Sequence, residues 1–118
     1  MIRTIKAGGP VDHAHLETSF SAICPVDHSI DNYVIEVDYK PTCSDDGCIY
    51  IELNSLREYL DGFKDRVIYH EDLINELINE FVRTLNPIEI AVTLTSNYKG
   101  IKYVIRRSIN KRDSQHAL

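Results

Sequence analysis

The chain has 118 residues, 43% of them hydrophobic and 26% charged, which is the make-up of one soluble globular domain and excludes a disordered or fibrous chain. A domain of this length buries a core without needing disulfides or metal, and no apolar run approaches the roughly 18 residues of a membrane helix. The net charge of −5 argues against a protein that holds nucleic acid by bulk charge alone.

Residues 1–12 contain Gly8-Gly9-Pro10 and read as a loose arm. Met1-Ile2-Arg3-Thr4-Ile5-Lys6 is followed by no apolar stretch, so no signal peptide is expected and the cytoplasm is the expected compartment. His15 to Ile23 has strand character, which Cys24-Pro25 ends, since proline cannot continue a central ladder. Val26 to Asp31 reads as a turn. Tyr33, Ile35, Val37 and Tyr39 then alternate with Val34, Glu36, Asp38 and Lys40, the period of a half-buried strand, up to Pro41. A loop over 41–47 leads to a short strand, Cys48-Ile49-Tyr50-Ile51. Asn54 or Ser55 can cap a helix in which Leu56, Tyr59, Leu60 and Phe63 share a face. A second helix is predicted from His70 or Glu71. Its stripe is Leu73, Ile74, Leu77, Ile78, Phe81, Val82 and Leu85, its first-turn acids are Glu71 and Asp72, and its stop is Asn86-Pro87. Ile88, Ile90, Val92 and Leu94 alternate as a strand. Asn97-Tyr98-Lys99-Gly100 turns the chain, and Ile101, Tyr103 and Ile105 return. Residues 108–118 read as a polar tail. The whole is one α+β domain over 1–118, with an antiparallel sheet of two hairpins and two helices packed on one face.

Three cysteines are present. Cys43 and Cys48 flank a turn, and spacing alone leaves their bridging open. No second cysteine or histidine pair completes a zinc site, so no metal is expected. Cys24 stands where a strand meets a turn, and Asp31 follows seven residues later, just before the next strand. If the two strands pair, both ends of the loop come together. An acid beside a thiol can take its proton or give one to the atom attacked. The plainer reading is that a lone cysteine is a small buried hydrophobe. His70-Glu71 opens a helix, where acids complement the dipole. It also offers a fixed carboxylate able to accept two parallel hydrogen bonds from a guanine-like edge. Residues 99–112 carry Lys99, Lys102, Arg106, Arg107, Lys111 and Arg112 with no acid, which reads as a solvated strand edge or as a phosphate-contacting strip.

Ile23-Cys24-Pro25-Val26 with Asp31, Glu52-Leu53-Asn54-Ser55-Leu56-Arg57-Glu58-Tyr59, Tyr69-His70-Glu71-Asp72 and Leu85-Asn86-Pro87 together resemble the QueF family of the tunnelling-fold superfamily, over residues 18–106. The resemblance implies subunits joined into barrels, as pentameric rings or a decamer, with active sites between them. It implies that Cys24 attacks a nitrile carbon to give a thioimide and that Asp31 delivers a proton to the nitrogen. Glu71 would grip a 7-cyano-7-deazaguanine base, helped by His70 and by the backbone near Glu52 and Leu53. The family's reductases carry two lysines in a cofactor motif where this chain has Asn54 and Arg57, followed by the acid Glu58. One charge pair at about 4 Å and an effective dielectric near 20 amounts to roughly 4 kcal/mol, or about three decades of affinity. The chain therefore looks more like the short QueF-like branch. That branch uses no cofactor and converts the cyano base in tRNA to archaeosine with ammonia. tRNA and ammonia are then the expected partners, and Lys99, Lys102, Arg106 and Arg107 possible phosphate contacts. An NADPH-dependent nitrile reductase and a non-catalytic nucleobase-binding protein of the same fold are the alternatives.

Overall fold

The computed structural model describes residues 1–111. Strands β2 (Ala14–Ile23), β3 (Ile30–Lys40), β6 (Glu89–Tyr98) and β7 (Ile101–Asn110) form an antiparallel sheet in the order β2-β3-β6-β7. A smaller sheet has the order β1-β5-β4, from β1 (Thr4–Ala7), β4 (Cys43–Ser44) and β5 (Gly47–Ile51). Helices α1 (Leu53–Asp61) and α2 (His70–Leu85) lie between β5 and β6 in the chain. The expected strand, strand, short strand, helix, helix, strand, strand order is present. Two short strands are added to it, and the single sheet becomes two.

Period-two burial makes the large sheet one-sided. On β3, Tyr33, Ile35, Val37 and Tyr39 are buried, and they face Phe20 and Ala22 of β2 and Ile90, Val92 and Leu94 of β6 in one core. Helix α2 covers that face with Leu73, Ile74, Leu77, Ile78, Phe81 and Leu85, all buried. Each such side chain contributes roughly 1.5–3 kcal/mol by leaving water. Asn86 ends α2 in the left-handed region, at φ 48°, before Pro87. Leu56, Leu60 and Phe63 add the edge of the core beneath β2.

Three sequence readings change. The N-terminal arm is not loose throughout, because Thr4–Ala7 pairs with β5 from Thr4↔Ile51 to Ala7↔Cys48. The cap of α1 is Glu52, one position before the helix: its carboxylate accepts from Asn54 N and Ser55 N, so neither Asn54 nor Ser55 caps it. Ser55 instead accepts from Arg3 N and donates to Glu52 O. The polar stretch from 108 begins as strand, since β7 runs to Asn110; residues 112–118 of the expected tail lie outside the described residues. Cys43 and Cys48 face each other across β4 and β5 and form a disulfide.

Gly47 opens β5 at φ 130°, and a Cβ there would stand 2.6 Å from Ala7 O. Backbone, not a flexible side chain, is what it would meet. Gly47→Ala should therefore cost about 2–3 kcal/mol, read as a lowered denaturation midpoint with an unchanged m-value. An unshifted midpoint would show that β1 does not dock this closely.

Candidate active site

The site grows from one cross-strand row. Phe20, Tyr33, Ser96 and Tyr103 are register partners across β2, β3, β6 and β7, all on the helix-covered face. The next pair toward the sheet's end is Ala22↔Asp31. Cys24 continues the inward alternation of Phe20 and Ala22 and is buried. Its strand end is held by β3 and by the segment between the helices. Ile23 N donates to Arg66 O at 2.8 Å, and Ile68 N to Ile23 O at 3.2 Å. The turn that follows closes with Cys24 N donating to Ser29 O at 2.8 Å and His28 N to Cys24 O at 3.0 Å.

The N-terminus of α2 lands on this row. Ser96 Oγ lies 3.3 Å from His70 Nδ1, and the His70 ring meets Tyr33 and Tyr103 edge-on, at centroid distances of 5.3 and 5.5 Å. His70 Nε2 is then 3.8 Å from Asp31 Oδ2. Asp31 is only 3% exposed, a carboxylate on the core face of a strand. Beside these groups a cavity of about 310 Å³ is lined by Cys24, His70, Ser96, Tyr98 and Tyr103 among others. That is the volume of a small-ligand site. Glu71 is the next residue after His70, and its Oε2 accepts from Tyr103 Oη at 2.8 Å. This bond holds the Glu71 carboxyl below its usual range. Cys24, Asp31, His70 and Glu71 thus meet at one place, a thiol and an acid beside a base-sized hollow with an ionised carboxylate at its rim.

Glu52 and Leu53 are not brought there within one chain. Glu52 is spent on the α1 cap, whose Asn54 and Ser55 N–H groups hold its carboxyl down, and on Arg3 at 3.3 Å. Leu53 lines a separate hollow with Leu16 and Leu60. The basic run also divides. Strand alternation sends Arg107, partner of buried Val92, to the helix face, where it donates to Asn75 Oδ1. Lys102 and Arg106 project from the opposite, open face. Lys99 sits in the β6–β7 turn over the Tyr98 ring, 5.4 Å from its centroid. Lys111 Nζ donates to Asn86 O. Arg112 lies outside the described residues. Among the described residues no cluster of histidine, cysteine and carboxylate side chains fits a metal ion.

Asp27 and Tyr98 were not among the expected site residues. Asp27 Oδ1 accepts from Ser29 N and Ser29 Oγ, and Oδ2 accepts from Tyr98 Oη at 2.7 Å. These donors, Ser29 first, hold Asp27 far below the usual carboxylate range, and the Cys24 thiol adds to them. The bond to Asp27 pushes Tyr98 up to about 12. The pair ties the turn that carries Cys24 to the β6–β7 hairpin. The one available signal is parity: Ser96 and Tyr98 continue the inward series Ile90, Val92, Leu94 where apolar residues are expected.

The QueF-like protein family matches residues 31–114. The archaeosine synthase of Pyrobaculum calidifontis is 26% identical over 87 residues, 74% of this chain and 75% of that protein. The NADPH-dependent 7-cyano-7-deazaguanine reductase of Frankia casuarinae is 32% identical over 81 residues, 69% of this chain. The chain spans only 61% of that reductase's length. The crystal structure of the archaeosine synthase QueF-Like in the apo form superposes with a TM-score of 0.76 at 22% identity, over 85% of this chain and 95% of that one. The fold is therefore the α+β tunnelling fold.

A depressed carboxylate stabilises the fold above its unfolded value and loses that contribution as acid protonates it. The melting temperature of the wild type should exceed that of Tyr98→Phe at neutral pH. The gap should narrow once the pH falls below the ordinary carboxylate value near 4. Paired melts at neutral and strongly acid pH check this, and a gap that stays constant would show that Asp27 is not the partner that matters.

Proposed function

Because the chain belongs to the QueF-like family, we propose that it is an archaeosine synthase, an amidinotransferase acting on 7-cyano-7-deazaguanine already built into tRNA. The observation that carries the reading is one base-sized cavity lined by Cys24, His70 and Tyr103, with the buried Asp31 3.8 Å from His70 and Glu71 bonded to Tyr103.

The chemistry follows from those groups. Glu71 accepts the ring N–H and exocyclic amine of the base as two parallel charge-assisted bonds, exchanging Tyr103 for them. Cys24 sulfur adds to the nitrile carbon, one C–N π bond breaks, and the nitrogen takes a proton from Asp31, giving a thioimide. The proton released by the thiol restores Asp31. Ammonia then adds to the same carbon, the C–S bond breaks, and the sulfur regains a proton, leaving an amidine. Glu52 and Leu53 would reach the base only from a neighbouring copy of the chain, in keeping with a homo-oligomer whose sites lie between subunits.

A nitrile reductase is the second reading, favoured by the 32% identity to the Frankia enzyme. The state of Arg57 supports the first. Its Nε donates to Asp61 Oδ1, Nη1 to Thr18 Oγ1 at 2.9 Å and Nη2 to Ser19 O at 2.9 Å. A cofactor phosphate would have to break these bonds to use the cation, and Asn54 offers no charge in its stead.

Intact mass after incubation with free 7-cyano-7-deazaguanine should show a one-to-one adduct that is absent in Cys24→Ala. No adduct on the wild type would count against both enzyme readings. Supplied with cyano-modified tRNA and ammonium, the protein should form the amidine. Consumption of NADPH with the free base would overturn the amidinotransferase reading.

Lys99 lies over the ring of the cavity-lining Tyr98, and Lys102 is the next cation along β7; the two would meet tRNA phosphates. Their joint replacement by Ala should flatten the plot of log affinity for tRNA against log salt by about 2, while adduct formation with the free base is unchanged. An unchanged slope would assign phosphate contact elsewhere.

A further inference from the structure

Two side-chain atoms are buried without a hydrogen-bond partner among the described residues, Asp31 Oδ2 and Tyr33 Oη. Unpaired buried polar atoms are rare in folded proteins, and those that occur are concentrated where chemistry needs them. Here the two belong to one strand. Asp31 and Tyr33 are two residues apart on β3, so both leave the same face of the sheet. They are 3% and 1% exposed. His70 adjoins both, with Nε2 3.8 Å from Asp31 Oδ2 and its ring edge-on to Tyr33. Phe20 stacks on the Tyr33 ring at 5.3 Å and 26°, and Phe63 packs against Phe20 at 5.9 Å. The plane of Tyr33 is thereby fixed, and its hydroxyl rotor is its main remaining freedom.

We propose that Tyr33 is a positioning residue for the reaction at Cys24: its hydroxyl orients the Asp31 carboxyl and steadies it in the interval when its proton has gone to the substrate nitrogen. The inference rests on the thioimide reading above. While the S–C bond forms and one C–N π bond breaks, Asp31 is briefly a carboxylate, until the proton leaving sulfur restores it. A carboxylate so deeply buried needs donors at that moment. His70 Nε2 stands just beyond hydrogen-bond distance, and its other nitrogen is engaged with Ser96. The Tyr33 hydroxyl is the second donor. Burial, and then the charge of Asp31, keeps it protonated well above the ordinary tyrosine range, so it remains an O–H donor throughout. A donor already in place adds to the rate without reorganising during the step.

Tyr33→Phe separates this role from core filling, since phenylalanine keeps the stacking on Phe20 and removes only the unpaired hydroxyl. Adduct formation with free 7-cyano-7-deazaguanine is followed by rapid quench and intact mass over a range of base concentrations. The expected result is a maximal rate lowered about tenfold, a half-saturating concentration within twofold of wild type, and a melting temperature unchanged or higher. A maximal rate within twofold of wild type would overturn the role of Tyr33 and leave the thioimide reading standing. A fall in rate that comes with lost base affinity and a lower melting temperature would make Tyr33 structural and also overturn it. A wild type that forms no adduct would overturn the thioimide reading, and this inference with it.

Discussion

His70 is gripped on several sides at the point where α2 begins. Ser96 meets one ring nitrogen, Asp31 faces the other, and the rings of Tyr33 and Tyr103 close on it edge-first. Helix α2 can only be placed this way because its apolar stripe is pinned along the sheet by Leu77, Ile78 and Phe81, none of them exposed. Packing of the helix body therefore sets the position of its first residue. The same register sets Glu71 beside Tyr103 and leaves a hollow next to Cys24. A shift of β3 by one residue would turn Asp31 and Tyr33 to the open face and dissolve the site, while the core would lose Ile35 and Val37 with them.

How much of this is legible in the sequence depends on how local the cause is. The alternation of β3, the stripe of α2 and its stop at Asn86 are local patterns, and each is found where the pattern puts it. Strand β1 has no such pattern. Three of its four residues are exposed, and it exists through pairing with β5, as in Thr4↔Ile51. The basic run of 99–112 looks continuous in sequence and is divided by the two-residue period once it becomes strand. Cys24 and Asp31 carry little weight alone and gain it from resemblance to a family. The Asp27–Tyr98 bond spans 71 residues and leaves no mark in sequence beyond the wrong parity of a polar residue. Tyr33 reads as core from its spacing, and its burial bears that out; the unpaired hydroxyl becomes evident only when its neighbours are known.

Three carboxylates stand behind the residues that line the cavity, and each has a tyrosine beside it: Asp27 with Tyr98, Glu71 with Tyr103, Asp31 with Tyr33 two residues along its strand. Neutral phenols lower the cost of an ionised acid without cancelling its charge. A lysine or arginine in the same places would cancel it. Asp27 and Glu71, both held below the usual carboxylate range, give the surroundings of the cavity a negative character.

That character bears on the choice between the two reactions. A dinucleotide phosphate brought toward Cys24 would approach the Asp27 and Glu71 carboxylates, and Arg57 is held elsewhere by three bonds of its own. Under the proposed reaction ammonium meets no such repulsion, and it attacks as ammonia after one proton has gone to solvent. In that reaction the phenols serve one end. They let carboxylates hold the base, clasp the loop of Cys24 and pass a proton, while leaving the field that turns away an anionic cofactor.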